Sequence, residues 1–173
     1  MGSEMCIRDT NKIYVTGGNS EDGSVIQTVE SFDCNSRKWN NVASLNYARQ
    51  GHVAIAVVDH VYVCGGKEIG GGDCLNSVER YSPEDNTWTM MPPMTEFRED
   101  LGLVHLEGKL YVMGGCDDRF DFLDKVEVFD TNTQIWSESV PMLSKRGIFG
   151  AAVLNGKIYV AGGYNDLSTI NSV

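Results

Sequence analysis

The sequence predicts an all-β protein made of repeated antiparallel sheets, and three observations support this prediction. A diglycine that closes an apolar, tyrosine-containing segment returns four times, at intervals of 48 or 49 residues. The surrounding segments are short, β-branched and separated by polar turns, which is typical of strands. No segment has the apolar spacing of an amphipathic helix. The diglycines are Gly17-Gly18, Gly65-Gly66, Gly114-Gly115 and Gly162-Gly163.

The other elements of the repeat follow each diglycine in a fixed order. A Val-Glu-x-aromatic segment comes first, a tryptophan follows nine residues after its glutamate, and an arginine follows ten residues after the tryptophan. Length varies only between the diglycine and the valine, which predicts a surface loop there. The three complete sets are Val29, Trp39 and Arg49; Val78, Trp88 and Arg98; and Val126, Trp136 and Arg146.

Each repeat is expected to form one four-stranded antiparallel sheet, with strands a to d in chain order. Continuously apolar runs such as 53–58 and 61–64 predict strands a and b that are buried on both faces. The later segments 78–81 and 87–91 mix polar and apolar residues, as outer strands c and d do. Because no helices are predicted, neighbouring sheets must cover one another. Sheets stacked around an axis form a β-propeller, with strand a innermost.

Glycine is expected at the end of strand b because the backbone there must adopt a positive φ or let another segment approach closely. A phosphate-binding loop is the competing interpretation of a diglycine. No copy is followed by the Lys-Ser/Thr of a P-loop, and no helix N-terminus is predicted after it. The sequence therefore favours a structural role over nucleotide binding.

These segments resemble the Kelch repeat, a β-propeller repeat with a period of about 50 residues. The resemblance rests on the diglycine after a tyrosine-containing strand, the Val-Glu-x-Tyr/Phe strand, and the tryptophan seven residues after that aromatic. The WD40 repeat ends on Trp-Asp instead, whereas Asn40, Thr89 and Ser137 follow the tryptophans here. The resemblance covers residues 11–173 and implies an incomplete Kelch-type propeller of two full four-stranded blades and two partial blades.

The repeat pattern predicts four units, namely a partial blade at 11–48, full blades at 49–97 and 98–145, and a partial blade at 146–173. Residues 1–10 do not match strand a of the other repeats, because Glu4, Arg8 and Asp9 stand where apolar residues are needed. We therefore expect a non-repeat, artefactual leader and a first repeat that begins at strand b. The last repeat is expected to stop inside strand c, at Val173.

The composition argues against several classes of function. The 173-residue chain has a formal net charge of −10 and no basic cluster, so nucleic-acid binding is not expected. No apolar stretch approaches the roughly 18 to 20 residues that span a bilayer, so no membrane role is expected. Five cysteines without a CxxC motif indicate reduced thiols. They predict an intracellular, cytoplasmic protein, with association to the cytoskeleton as a further option.

No catalytic, metal or cofactor site is predicted. The histidines His52, His60 and His105 do not pair with another histidine, cysteine or carboxylate at the spacing of a zinc site. No serine lies in a Gly-x-Ser-x-Gly segment, and no cysteine has a neighbouring candidate base. The tryptophans could form an aromatic cage for a cation, but their constant spacing favours packing between blades.

Alternation of strand direction puts the b–c loops and the d–a connections on one face, which we call the rim. The resemblance to Kelch-like adaptors implies that a protein or peptide partner contacts the residue after each diglycine and the residues around each d–a arginine. The arginine also lies beside a repeated glutamate in every blade, which equally predicts an ion pair of the scaffold. The implied contacts are Asn19, Lys67, Cys116 and Tyr164, with Arg49, Gln50, Arg98, Glu99, Arg146 and Gly147.

Loops that differ between repeats are better candidates for specificity, because scaffolding demands sameness whereas an asymmetric partner demands difference. These loops are acidic, with Lys67 and Arg119 interspersed, and Asp117 and Asp118 are the leading candidates. A basic or mixed-charge partner therefore stays open beside an acidic one. The acidic residues are Glu21, Asp22, Glu68, Asp73, Asp117, Asp118, Asp121 and Asp166.

The regular Val-Glu-x-Tyr/Phe and tryptophan segments look most like the Kelch domains of BTB-Kelch adaptors of cullin-RING ubiquitin ligases. That resemblance implies a substrate-recognition module without enzymatic activity or a cofactor. A link to a cullin ligase would run through BTB and BACK domains that this sequence does not contain. An actin-associated Kelch scaffold is one alternative, and a Kelch-type enzyme, such as a copper oxidase or a sialic-acid mutarotase, is another.

Overall fold

The computed structural model describes residues 11–68, 73–165 and 168–172 in full and residues 3–7 by their backbone. Within these ranges it contains fourteen β-strands and no helix, so no helix is present there that could cross a membrane. The strands are β1 (Ser3–Ile7), β2 (Lys12–Thr16), β3 (Val29–Asp33), β4 (Lys38–Val42), β5 (Val53–Val57), β6 (His60–Cys64), β7 (Val78–Ser82), β8 (Thr87–Met91), β9 (Gly102–Leu106), β10 (Lys109–Met113), β11 (Val126–Asp130), β12 (Ile135–Glu138), β13 (Gly150–Leu154) and β14 (Lys157–Ala161).

The described strands form three four-stranded antiparallel sheets and one two-stranded sheet. Each four-stranded sheet keeps its strands in chain order, so that strands a, b, c and d lie side by side. We call these sheets blade 1 (β1–β4), blade 2 (β5–β8), blade 3 (β9–β12) and blade 4 (β13–β14). The all-β fold and the a-to-d order predicted from the sequence are confirmed.

Blade 1 differs from the sequence-based expectation. The backbone of β1 pairs with β2 in antiparallel register, from Ser3 opposite Thr16 to Ile7 opposite Lys12. Residues 3–7 therefore occupy the place of strand a, and the number of four-stranded blades is corrected from two to three. Strand pairing uses backbone N–H and C=O groups, which every residue type except proline supplies. The pattern of apolar side chains therefore did not reveal this strand. The artefactual origin of residues 1–10 stays a prediction.

The blades stack with their first strands at the centre. Strand β1 contacts β5, β5 contacts β9, and β9 contacts β13, whereas strand d lies at the far edge of each complete sheet. Strand β6 shows why strand b is apolar throughout: Val61 and Val63 pack toward blade 1, and Tyr62 and Cys64 pack toward blade 3. Burial on both faces, which the sequence predicted, is thus confirmed for this strand.

The repeated tryptophans join neighbouring blades. The indole N–H of Trp88 in blade 2 donates to the carbonyl of Ala43, in the connection that leaves blade 1, at 2.8 Å. The indole N–H of Trp136 makes the equivalent bond to Pro92 at 2.8 Å. Trp39 in blade 1 has no preceding blade among the described residues, and it is 51% exposed. Packing between blades, rather than a cation cage, is therefore the role of Trp88 and Trp136.

The diglycines meet both of the conditions that the sequence suggested. Gly65 and Gly66 follow β6 directly, with φ of +63° and +94°. A Cβ atom on Gly65 would lie 2.5 Å from the carbonyl oxygen of Arg98, and one on Gly66 would lie 2.6 Å from that of Gln50. The N–H groups of the two glycines donate to the carbonyls of Ser77 and Arg98. Both N–H groups of this diglycine are therefore bonded to the chain's own carbonyls and are not available to bind a phosphate.

Candidate partner-binding rim

The residue after each diglycine pairs with the d–a connection that enters the same blade. Lys67 and Gln50 exchange backbone hydrogen bonds of 2.9 and 3.0 Å. Their pairing continues the register of β5 and β6, in which Val53 lies opposite Cys64. The equivalent pairs are Cys116 with Glu99 and Tyr164 with Gly147, while Asn19 pairs with Val25 across its own loop. The structure thus brings the two predicted groups of contact residues together in blades 2, 3 and 4.

A second backbone network links the d–a connections of successive blades. The N–H of Asp100 donates to the carbonyl of Gly51 at 2.7 Å, and the N–H of Ile148 donates to that of Asp100 at 2.9 Å. All three residues have a positive φ, between +53° and +60°. This conformation is strained for a β-branched residue such as Ile148. Each of these residues stands two positions after a repeated arginine. The three residue types differ, so the sequence analysis did not select this position.

The repeated arginines lie beneath the rim surface. Arg49 and Arg98 are completely buried, and Arg146 is 6% exposed. The Nη1 atom of Arg49 donates to the carbonyl of Gly65 at 2.7 Å, and its Nη2 atom bonds Glu79 at 2.6 Å. Arg98 makes the same two contacts in blade 3. The guanidinium groups of Arg49 and Arg98 therefore link the d–a connection to strands b and c of the same blade. They are not exposed at the rim surface.

Each buried glutamate of strand c also holds the connection from the preceding blade. The carboxylate of Glu79 accepts the backbone N–H groups of Asn46 and Tyr47 at 2.7 and 3.3 Å. In blade 3, Glu127 accepts the N–H groups of residues 95–96 at 2.6 and 3.2 Å. Burial lowers the pKa of Arg49, and the Glu79 carboxylate opposes that shift. The paired charges and the backbone donors together satisfy a carboxylate that would otherwise be costly to bury.

Lys67 connects the loops of blades 2 and 3. Its Nζ atom lies 3.5 Å from Glu99 Oε1 and 5.2 Å from the centre of the Phe120 ring. Burial raises the pKa of Glu99, and the positive charge of Lys67 opposes that rise. Two predicted partner contacts, Lys67 and Glu99, are thus engaged with each other at the base of the rim.

The two leading specificity candidates hold loop backbone in place, Asp117 within its own loop and Asp118 in the loop of the preceding blade. The Oδ1 atom of Asp117 accepts the N–H groups of Arg119 and Asp121 at 2.8 and 3.0 Å. The Oδ1 atom of Asp118 accepts the N–H of Cys74, in the b–c loop of blade 2. Asp118 is exposed and Asp117 is half-buried. Each carboxylate keeps a second oxygen, so a structural role does not exclude contact with a partner.

Besides the buried arginines and Glu99, which is 8% exposed, the surface of the rim differs from the predicted set at Cys116 and Phe120. Cys116 is 3% exposed, because its loop pairs Phe122 across it and the Cys74 thiol bonds its carbonyl, so its side chain is not a surface contact. Phe120, which the sequence reading did not select, is 65% exposed at the loop tip. Asn19 and Tyr164 are exposed, and Gln50 is half-buried. The acidic Asp166 lies outside the described residues.

Cys64, Cys116 and His52 are buried and uncharged near pH 7. Burial raises the pKa of the Cys64 and Cys116 thiols to about 12, which keeps them protonated. Burial also lowers the pKa of His52 to about 3, and its Nε2 atom lies 2.8 Å from the Thr16 hydroxyl. The described residues contain no group of histidines, cysteines and carboxylates that could hold a metal ion.

The fold is shared with a solved structure. The chain superimposes on the structure of YjhT with a TM-score of 0.80, over 94% of this chain and 57% of that chain. The two sequences are 17% identical, so this likeness concerns the fold alone.

Sequence comparisons point to Kelch proteins. The chain is 34% identical to Kelch-like protein 25 of Rattus norvegicus over 111 residues, which are 60% of this chain and 19% of that protein. It is 37% identical to Kelch-like protein 40 of Mus musculus over 114 residues, which are 62% of this chain and 18% of that protein. The chain thus spans less than a fifth of these relatives.

A family model carries the assignment across most of the chain. The model described as the KLHDC2/KLHL20/DRC7 Kelch-repeats domain matches residues 1–163. This match includes β1 as well as the repeats that the diglycines define. The chain therefore belongs to the Kelch-repeat domain family.

Proposed function

We propose that this chain is the partner-binding Kelch domain of a Kelch-like adaptor, and that it captures a protein or peptide at the rim without catalysing a reaction. The observation that carries the proposal is a division between buried and exposed residues. The Arg–Glu pairs that repeat are buried between strand c and the d–a connection, whereas exposed rim residues such as Phe120 and Asp118 differ from blade to blade. Such a division suits a common scaffold with a variable recognition surface.

The exposed rim of blades 2 and 3 favours a partner segment with an apolar anchor and basic residues. Phe120 supplies a large aromatic surface, of the kind enriched at the centre of protein interfaces. The exposed residues Asp118 and Asp121 lie within two positions of it in the same loop. The net charge of −10 would accelerate encounter with a positively charged segment. The positive charges of Arg119 and Lys67 would also accept one acidic residue of the same partner.

The wider role follows from the resemblance to BTB-Kelch proteins and from the Kelch-like names of the relatives. In this role the rim selects a substrate, and BTB and BACK domains outside this sequence connect it to a cullin-RING ubiquitin ligase in the cytoplasm. The protonated thiols and the neutral, buried His52 support a binding role over a catalytic one. Co-purification of a cullin with the longer protein is the test of this wider role.

The rim itself is tested by quantitative capture with matched variants. Bait proteins carrying Phe120→Ala or Asp121→Asn are compared with Glu84→Gln, an exposed change in the c–d turn on the opposite face. We expect the rim variants to lose at least about tenfold in the affinity of captured partners, as for a central interface residue, and to keep the melting temperature. The Glu84 variant should behave as wild type. Equal capture by all three proteins would refute the rim assignment.

A further inference from the structure

Blade 3 has a polar cavity at the outer part of the rim face. It lies between the d–a connection from blade 2, the start of β11 and the end of β12, and its volume is about 250 Å³. Pockets for drug-sized ligands have roughly 300 to 1000 Å³, so this cavity suits a single side chain. The residues that line it include Thr95, Glu96, Asp124, Lys125, Glu127 and Glu138.

One wall of the cavity is a buried carboxylate with acceptor capacity to spare. Glu127 is 3% exposed, and its Oε1 atom accepts hydrogen bonds from Arg98 Nη2 and from the N–H of Glu96. Its Oε2 atom accepts one hydrogen bond from the described residues, from the N–H of Thr95 at 2.6 Å. Because a carboxylate oxygen has two lone pairs, Oε2 can accept one more donor.

Blade 2 shows which kind of donor completes this arrangement. Glu79 is the counterpart of Glu127, and its Oε2 atom accepts two hydrogen bonds from Asn46, one from the backbone N–H and one from Nδ2, each at 2.7 Å. Thr95 stands in the place of Asn46 in blade 3 and has no side-chain amide. The carboxylate of blade 3 therefore lacks the N–H donor that its counterpart receives, and the cavity lies beside it.

A second carboxylate lies beside Glu127 on the neighbouring strand. Glu138 is directly opposite it in the antiparallel register of β11 and β12, so both side chains are on the same face of the sheet. In blade 2 the residue opposite Glu79 is Met90, which carries no charge. Like charges that are directly opposite each other are destabilising, so the two glutamates of blade 3 favour a positive charge between them.

The chain places one cation at the mouth of the cavity. The Nζ atom of Lys125 bonds the Glu96 carboxylate, and 54% of the lysine side chain is exposed. Hydrogen bonding to Glu96 raises the pKa of Lys125, and the charge of Glu138 adds to this rise. Lys125 and Arg98 oppose two of the four lining carboxylates, so two negative charges remain.

We propose that this cavity binds the guanidinium group of an arginine side chain from a partner segment. A planar guanidinium carries five N–H donors, which suit the free acceptor of Glu127 and the nearby carboxylate of Glu138. The arginine thereby supplies the donor that Asn46 supplies in blade 2, together with a positive charge that blade 3 lacks. The source of the side chain rests on the proposed function, whereas the cavity is a feature of blade 3 itself.

The test follows the ¹⁵N-labelled 173-residue chain by NMR spectroscopy during titration with acetyl-arginine amide. The matched ligand is acetyl-citrulline amide, in which a neutral ureido group of similar shape replaces the guanidinium. We expect the arginine ligand to bind at least about tenfold more tightly, because its hydrogen bonds to the carboxylates are charge-assisted. Only this ligand should shift the amide signals of residues 95–96, 124–127 and 138–139.

Substitutions at three exposed positions check where the ligand binds. Thr95→Asn and Glu138→Met each restore the side chain that blade 2 has, so each should weaken binding of the arginine ligand at least about threefold. Lys125→Gln removes the competing cation and should strengthen binding. Glu84→Gln, on the opposite face, should leave the affinity unchanged.

Three results would overturn the proposal. One is absent or equal binding of the two ligands, and another is arginine binding that Thr95→Asn and Glu138→Met leave unchanged. The third is tighter binding of free arginine than of acetyl-arginine amide, since the ligand would then be the amino acid and not a partner's side chain. The ligands need no partner protein, so failure here leaves the rim assignment of Phe120 intact. Unchanged capture by Phe120→Ala, in turn, leaves the cavity intact.

Discussion

Arg49 Nη2 lies 2.6 Å from Glu79 Oε1, and both side chains are completely buried where the connection from blade 1 enters blade 2. The same relationship recurs between Arg98 and Glu127 at 2.7 Å. Because each glutamate also accepts two backbone N–H groups from the connection, one carboxylate joins strand c to the connection that arrives from the preceding blade. This contact explains why arginine and glutamate repeat at fixed positions in the sequence.

The buried pair of blade 3 should contribute far more stability than a surface pair close to it. Glu127→Gln leaves Arg98 buried without its counter-ion, so we expect a loss of about 3 to 5 kcal/mol in the free energy of unfolding. Lys125→Gln breaks only the exposed contact with Glu96, and we expect a loss of at most about 1 kcal/mol. Urea denaturation measures both values. Losses of similar size would contradict the scaffold role of the buried pair.

The diglycine should be sensitive to a single methyl group. Gly66→Ala places a Cβ atom 2.6 Å from the carbonyl oxygen of Gln50 at a φ of +94°, so we expect the blade to be destabilised by about 2 to 4 kcal/mol. Gly23→Ala is the matched control, because φ is +84° but no atom lies within 4 Å of the added carbon. Its expected cost is about 1 kcal/mol, from the backbone conformation alone. Denaturation curves with equal shifts would show that close approach is unimportant.

The tryptophans should differ in their contribution according to the blade that precedes them. Trp88→Ala removes an aromatic packed between blades 1 and 2 together with its hydrogen bond to Ala43, and we expect a cost of about 3 to 5 kcal/mol. Trp39→Ala changes a side chain that is half exposed, so the expected cost is about 1 kcal/mol. Thermal and chemical denaturation of the two variants provide the comparison. A larger loss for Trp39 would contradict packing between blades as the common role.

His52 should make stability depend on pH. Burial holds its pKa at about 3 in the folded state, well below the ordinary value of 6.5, so protonation favours the unfolded chain. Its stabilising contribution is therefore complete above pH 6.5 and is lost as the pH falls toward 3, by up to about 1.4 kcal/mol per pH unit. In His52→Gln this part of the slope should disappear. Identical slopes for wild type and variant between pH 6.5 and 4.5 would contradict a neutral, buried imidazole.

The repeat made most of the fold predictable, because most of the repeated residues make a contact within their own blade or with the preceding one. The tryptophan that bonds Ala43 and the diglycine that includes Gly66 both recur at a fixed spacing, so the sequence indicated a structural role for each. Strand β1 was missed since its pairing uses the backbone, and its side chains carry no repeat signal. The apolar pattern therefore located the strands whose side chains repeat, and it overlooked the strand whose sequence does not match the repeat.

The candidate site was less predictable than the fold. Contacts between loops of different blades, such as Asp118 with the N–H of Cys74 and Lys67 with the Phe120 ring, involve residues that do not repeat. The burial of Cys116 depends on the same loop packing. The sequence placed the b–c loops and the d–a connections on one face, since strand direction decides it, but only coordinates separate the side chains at the surface from those beneath it.

A double-mutant cycle between Arg49 and Glu79 tests the central claim most directly, namely that the repeated ion pair is a buried element of the propeller scaffold. The free energy of unfolding is measured for wild type, Arg49→Met, Glu79→Gln and the double variant. We expect each single change to be strongly destabilising and the coupling free energy to be about 2 kcal/mol or more, because the second change removes a charge that the first has left unpaired. Additive losses, with a coupling near zero, would contradict the account.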